Sequence, residues 1–316
     1  MNSSVSPTSL RAVGFSLACF AMWSLSDAVM KLVGDAKISA VQVVAAQAFF
    51  SLVLMTIMVG RKGDMQAVKS VWPRSPRQQT MRVFLRLSTS FLNAIALQYL
   101  SLTMFYVIAF CAPLTIALLA SVALKEKLSW AQVAAIVAGF AGVMVAINPF
   151  GADFAAGSLV GVVAMLCSVL CFAANIVWLR VMTQSETTDS LAFYSALVGT
   201  VVFVPIALLL DGPVTQWPIL CLLALMSFFA LCGDIFNFIA LRHAPAATVE
   251  QYHYSQIVLG AILGYVFWHE VPSWNLVVGA IIIIASGAYV ALAALREHKR
   301  VDVEAVEGAG QQSEVV

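Results

Sequence analysis

Charged residues are scarce in this sequence: Asp, Glu, Lys and Arg make up 10% of 316 residues and 61% are apolar, against roughly 25% charged in soluble domains. So few charges cannot cover a water-facing surface of this length, and lipid is the solvent that fits. Long runs of like charge are also missing. The net charge is +1, and the basic residues lie in breaks between apolar stretches, which speaks against a nucleic-acid surface. The Gly-x4-Gly-Lys-Ser/Thr phosphate loop, the HExxH pair and the Gly-x-Ser-x-Gly elbow are absent, and with them the usual signs of ATP hydrolysis, zinc proteolysis and ester hydrolysis. The four histidines (His243, His253, His269, His298) are too scattered for a metal centre. The six cysteines (Cys19, Cys111, Cys167, Cys171, Cys221, Cys232) sit inside apolar stretches without a CxxC pair, so neither a disulfide framework nor a zinc site is expected. Cys167 and Cys171, four apart, read as small packing side chains. No polar ring recurs through the spans as a channel would need. No catalytic residue, metal or cofactor is assigned.

What fills the chain instead is a series of apolar runs. A helix crossing the hydrocarbon core needs about 20 mainly apolar residues. Spans are expected near 12–33, 39–60, 82–100, 103–123, 130–147, 158–182, 190–210, 217–241, 246–268 and 274–295. The first is read as a span and not a signal peptide, because Arg11 is its only basic lead and it contains Asp27 and Lys31. With ten spans and an inside N-terminus, Arg61, Lys62, Lys69, Arg74, Arg77, Lys125, Lys127, Arg180, Arg242, Arg296, Lys299 and Arg300 all fall inside, with Arg82 at the edge. Only Lys37 falls outside, with Lys31 just below it. That asymmetry predicts a multi-pass protein of the plasma (bacterial inner) membrane with both termini cytoplasmic. The basic loop from Arg61 to Thr80 either lies on anionic headgroups or is simply solvated. Residues 297–316 read as a disordered cytoplasmic tail.

Laying residues 96–145 on residues 240–289 without a gap brings Ala96-Leu97 onto Ala240-Leu241, Lys125-Glu126 onto His269-Glu270 and Ser129-Trp130 onto Ser273-Trp274. The same register puts Asn93 on Asn237. Such an internal match predicts a duplication: residues 1–147 with spans one to five, residues 158–296 with spans six to ten. Five is odd, so the halves must be inverted, with Glu126 facing inside and Glu270 outside. The expected fold is therefore an all-α membrane protein of ten transmembrane helices in two inverted five-helix repeats. Inverted repeats are the common frame of secondary transporters, with the substrate site between the halves near the midplane.

The blocks Leu97-Gln98-Tyr99-Leu100, Phe110-Cys111-Ala112-Pro113-Leu114, Glu126-Lys127-Leu128-Ser129 and Gly139-Phe140-Ala141-Gly142-Val143 resemble the first EamA-type domain of the drug/metabolite transporter superfamily. The stretch Tyr254-Ser255-Gln256-Ile257 through Gly264, Phe267, Glu270, Pro272, Gly279 and Ser286-Gly287 is similar to the second. The resemblance covers about Arg11 to Arg296 and implies a transporter of a small organic metabolite. Arg86 and the Tyr-x-Gln of span nine are similar to a branch with importers of cofactor-like metabolites such as riboflavin and S-adenosylmethionine. An amino-acid-like, nucleoside-like or cofactor-like substrate fits these residues, with import and export both open and a homodimer compatible. An intramembrane enzyme or a scaffold without substrate is the alternative; the enzyme would turn over in detergent.

Ionisable groups within spans are costly, about 2.5–3.5 kcal/mol at a helix centre on insertion scales, and so mark partners or wet cavities. Arg86, Asp234 and Glu250 fall at similar depth and are expected to line one cavity, unless Arg86 snorkels to the headgroups. Asp27 and Lys31, four apart, are expected to pair on one helix face, or else Asp27 carries a coupling proton. Asp27, Asp234 and Glu250 are the carboxylates available for proton coupling. Span nine places Glu250, Gln251, Tyr252, His253, Tyr254, Ser255 and Gln256 in a row, with Glu250 and Tyr254 expected on one helical face and Tyr252 and Gln256 on another. These groups suit a planar, hydrogen-bonding ligand; interfacial anchoring is the simpler role for tyrosines. Asn93, Asn237, Asn175 and Trp178 complete the expected substrate-binding set. Pro113 and Pro205 are expected to kink spans four and seven. Ser129 to Gln132 reads as a capping box, and Gly260-x3-Gly264 and Gly157-x3-Gly161 as close-packing motifs.

Overall fold

The computed structural model describes residues 10–61, 70–124, 130–148, 156–183, 185–243, 249 and 251–289. Among them there is no strand. The helices are α1 (Leu10–Asp35), α2 (Ala40–Arg61), α3 (Pro76–Tyr99), α4 (Leu102–Ala109), α5 (Cys111–Leu124), α6 (Trp130–Ile147), α7 (Ala156–Met182), α8 (Thr188–Leu210) and α9 (Trp217–His243). A 3₁₀ turn at Gln251–Tyr254 leads into α10 (Ser255–Trp268), and α11 covers Trp274–Tyr289. Among the described residues, seven helices are long and apolar enough to cross a membrane by themselves, one of them formed by α4 and α5 together. The other three expected spans fall short singly: α3 is long but carries Arg77, Arg82 and Arg86, and the described parts of α10 and α11 are short.

The break between α4 and α5 falls at Phe110. Pro113 has no N–H to donate to the carbonyl four residues back, which is that of Ala109, the last residue of α4. Pro205 behaves differently: α8 runs through it unbroken. Short connections are fixed by caps. Ser101 accepts from the Met104 N–H at 3.1 Å to start α4, and Thr187 accepts from the Ser190 N–H at 3.0 Å to start α8. His269 closes α10 in the left-handed region, φ 54°.

The most extensive helix contacts are α1 with α9, α2 with α8 and α3 with α7. Taking α7, α8 and α9 as the second copies of α1, α2 and α3, the first and third pairings exchange and the second maps onto itself. That is the contact pattern of a two-fold axis. Its direction follows from helices that meet their own copies. Ser39 bonds Asp211 while Ala48 abuts Gly199, so α2 and α8 run antiparallel. Gly139 faces Ser286 while Gly279 faces Ala146, so α6 and α11 do as well. An axis along the membrane normal would leave copies parallel; this one lies across the helices, and the halves are inverted. Small residues permit that contact, since a Cβ on Gly142 or Gly279 would meet the facing helix. Gly260 and Gly264 likewise admit Tyr106 and Thr103 of α4, and Gly161 admits Tyr99 and Leu100.

Several expectations are corrected. Asp27 and Lys31 do not pair: the Lys31 amine bonds the Leu100 carbonyl at 2.8 Å and sits 3.5 Å from Glu270. The start of span nine is 3₁₀, not α, so it winds tighter than 100° per residue and Tyr252 and Gln256 do not share a cavity face. Cys167 is exposed on the outside of its helix and not packed. Glu250, Glu126, Ser129 and the tail at 297–316, all named from sequence, lie outside the described residues.

Candidate functional site

Each helix that borders the centre of the bundle turns one polar stripe inward. On α3 the stripe is Arg82, Arg86, Thr89, Ser90 and Asn93, spaced as one helical face. On α1 it is Trp23, Ser26, Asp27 and Met30; on α7, Ser168, Phe172, Asn175 and Leu179; on α9, Ala230, Asp234, Asn237 and Phe238. With Phe105 and Tyr106 of α4, His253 and Gln256, they enclose a cavity of about 900 Å³, its open mouth included. In lipid, polar faces have nowhere else to go, which is why the otherwise weakly apolar α3 is held inside.

Each charged group of the lining is hydrogen-bonded, and two of them form an ion pair. Arg86 forms an ion pair with Asp234 across the two halves and donates to the Ser90 hydroxyl at 2.8 Å. The other oxygen of Asp234 accepts from the Trp23 indole N–H at 3.2 Å. Asp27 accepts from the Tyr106 hydroxyl at 3.1 Å. Arg82, fully buried, donates to Gln79 at 3.0 Å, to the Leu191 carbonyl at 2.9 Å and to Ser195, and its guanidinium lies over the Phe238 ring. Two carboxylates and two guanidiniums therefore line the cavity among the described residues.

The amides differ in how they are used. Asn93 accepts from Ser168 at 2.5 Å, and Gln256 donates to the Phe20 carbonyl at 3.2 Å. The side-chain oxygens of Asn175 and Asn237 are buried without a partner. His253 stacks on Phe20 at 4.9 Å between the edges of Phe110 and Phe172.

Of the residues singled out from sequence, Asp27, Arg86, Asn93, Asn175, Asp234, Asn237 and Gln256 line this cavity. Trp178 does not; it packs, half-buried, on a core cluster with Ile176 and Leu179. Tyr252 is half-buried in the 3₁₀ turn away from the lining, and Tyr254 packs on Phe110 and against Gly287. Sequence reasoning missed Arg82, Trp23, Tyr106, Ser168 and Phe172. For Arg82 a signal existed, since it lies four residues before Arg86 on the same face; placing it at the edge of the span hid that.

A smaller cavity of about 460 Å³ lies between α2, α3, α8 and α9 and shares Arg86, Ser90, Asp234 and Phe238 with the first. The Arg86–Asp234 pair is thus a partition. At the bundle end where α1 finishes and α4 starts, the halves are joined again. Both oxygens of Glu270 face the first N–H groups of α4, 3.2 Å from Leu102 N and 3.4 Å from Thr103 N. There the carboxylate meets the helix N-terminus and the Lys31 amine together. The Trp268 ring lies 5.3 Å from that amine, and its indole N–H bonds Asp35 at 2.6 Å. At the opposite end, Glu186 accepts from Ser75 N at 3.0 Å.

Comparison with known proteins gives relatives of matching kind. The chain is 25% identical over 286 residues to the S-adenosylmethionine uptake transporter of Rickettsia conorii, covering 90% of this chain and 93% of that protein. It is 29% identical over 189 residues to the S-adenosylmethionine uptake transporter of Rickettsia bellii, spanning 58% of this chain and 62% of the relative. Against the pseudopaline exporter CntI of Pseudomonas aeruginosa it is 25% identical over 183 residues, 57% of this chain and 62% of that protein. Residues 10–148 and 159–292 each match the EamA-like transporter family. The doubled match, the inverted helical halves and the polar cavity between them agree: this multi-pass membrane chain belongs to the EamA-like transporter family.

Proposed function

We propose that the chain is a secondary transporter that carries a zwitterionic small metabolite through the central cavity by alternating access. The observation that supports this is the charge balance of the lining: Asp27 and Asp234 against Arg82 and Arg86. A balanced, low-dielectric cavity resists a net added charge far more than a ligand that brings one charge of each sign. An ammonium beside Asp27 and a carboxylate beside Arg86 satisfy both ends, while Trp23 and Phe172 offer apolar faces to the remainder. The names of relatives, one an S-adenosylmethionine uptake transporter and one a pseudopaline exporter, fit an organic metabolite and leave the direction open.

Alternation is supported by where the strong contacts lie. Lys31–Glu270 and Arg86–Asp234 both join one half to the other, so rocking the halves exchanges these contacts without unpacking either. In this reading the repeats are 1–147 and 158–296, followed by a cytoplasmic tail at 297–316. Both termini face the cytoplasm across the plasma (inner) membrane, and a proton, where one is coupled, rides on Asp27, Asp234 or Glu250. The test is uptake of labelled zwitterions, cations and anions into proteoliposomes. Zwitterions should accumulate or exchange in sealed vesicles only; preferential passage of net anions, or turnover of a substrate in detergent, refutes the assignment.

A further inference from the structure

Two side chains in the cavity wall have polar ends that nothing in the protein uses. Asn175 on α7 and Asn237 on α9 are 4% and 2% exposed, and the amide oxygen of each lacks a hydrogen-bond partner. Other polar groups of the lining are engaged: Asn93 by Ser168, Gln256 by the Phe20 carbonyl, Asp27 by Tyr106 and Asp234 by Arg86 and Trp23. A buried polar group left unmatched shifts an equilibrium by about 5- to 150-fold. Two such amides in one cavity make a demand on whatever enters it.

A carboxamide offers a donor and an acceptor side by side, and a half-turn of the side chain exchanges them. The complementary edge therefore carries one N–H and one lone pair on neighbouring atoms. Amino-substituted nitrogen heteroaromatic rings have that edge, and Asn reads it bidentately in nucleic acids. Such a ring is planar, and Phe172, three residues before Asn175 on the same face of α7, presents an aromatic surface at the same wall. We infer that Asn175 and Asn237 are specificity-determining residues that read the donor–acceptor edge of an amino-substituted nitrogen heteroaromatic ring on the transported metabolite. The inference rests on the cavity being the substrate site. It adds a ring subsite to the zwitterion subsite at Asp27 and Arg86.

The test compares two probes binding to the full chain in nanodiscs by calorimetry: S-adenosylhomocysteine and its analogue with the 6-amino group replaced by hydrogen. Both are zwitterions with the same ring system, so they differ only at the edge in question. The amino form should bind at least about fivefold tighter to the wild type. Asn237→Leu and Asn175→Leu should each narrow that ratio towards one, because the amino form loses more affinity than the deaminated probe. Equal affinities in the wild type, or a ratio untouched by both substitutions, overturns the inference. The wild-type comparison stands even where a variant does not fold. Should methionine bind while neither ring probe does, the ring subsite falls and the zwitterion transporter stands. Should no zwitterion bind or be transported, both fall.

Discussion

Replacing Glu270 by Gln should open the end of the bundle that it holds. In the structure the Lys31 amine is buried and has two polar contacts, the Leu100 carbonyl at 2.8 Å and Glu270 at 3.5 Å. Removing one partner of a buried pair costs roughly 3–5 kcal/mol, because the other charge is left uncompensated. The separation of 3.5 Å and the 16% exposure of the Glu270 side chain argue for the low end, about 3 kcal/mol. Any conformation that exposes Lys31 to water escapes this cost. The equilibrium between closed and open should thus move toward open by up to about two powers of ten. The assay is the rate at which a membrane-impermeant maleimide labels a cysteine placed at Met30, which lines the cavity, with the six native cysteines replaced. Right-side-out and inverted vesicles separate the two faces. E270Q and K31M should each speed labelling about 10- to 100-fold from one face only. The double variant should be slower than either single, since it strands no charge. Unchanged rates, additive effects or faster labelling from both faces would refute the reasoning.

Arg86→Leu should leave insertion and folding intact but lower zwitterion binding at least about 100-fold in a calorimetric titration, because Asp234 loses its ion pair and the ligand its anion partner. Tyr106→Phe removes one hydrogen bond to Asp27 and should weaken binding by about fivefold in the same titration, near the 1 kcal/mol of an ordinary bond. Asp27→Asn takes the carboxylate from the ligand's ammonium and should lower zwitterion binding at least about tenfold in the same titration; unchanged binding removes Asp27 from the site. Gly279→Val places a side chain against Ala146 and should destabilise the α6–α11 contact by about 1–3 kcal/mol, read as a lower apparent melting temperature.

The architecture was legible in the sequence because it rests on patterns that a chain displays locally. Apolar length marks most spans, and the register of Asn93 on Asn237 or Glu126 on Glu270 marks the duplication. An odd number of spans per half then requires inversion. The cavity was legible where a polar residue interrupts an apolar span, as with Asp27, Arg86 and Asp234. What stayed hidden depends on partners far along the chain. Asp27 and Lys31 satisfy the i,i+4 rule, but the long Lys31 side chain reaches Leu100 and Glu270, and Asp27 finds Tyr106 on α4. Arg82 sits at the edge of the third apolar run, so counting alone assigned it to the membrane surface. Only the packing of α3 against α8 shows its guanidinium buried on Leu191 and Ser195.

The halves share a pattern of helix pairing and diverge in charge, and that combination bears on how the site works. Under the register that sets Asn93 on Asn237, Ser90 falls on Asp234 and Arg86 falls on Ala230. Each member of the central ion pair therefore has a neutral counterpart in the other half. A fully symmetric site would hold a ligand equally well in two opposed orientations and would give neither end of a zwitterion a fixed place. With Arg86 on α3 alone and Asp234 on α9 alone, the cavity has a positive and a negative wall belonging to different halves. In the alternating-access cycle proposed above, these walls move relative to each other. A zwitterion that bridges them makes contacts whose strength depends on the state, which is the condition for a ligand to bias a conformational equilibrium. In that proposal, symmetry of the frame keeps the two states close in energy, and asymmetry of the charges lets the cargo act on the balance between them.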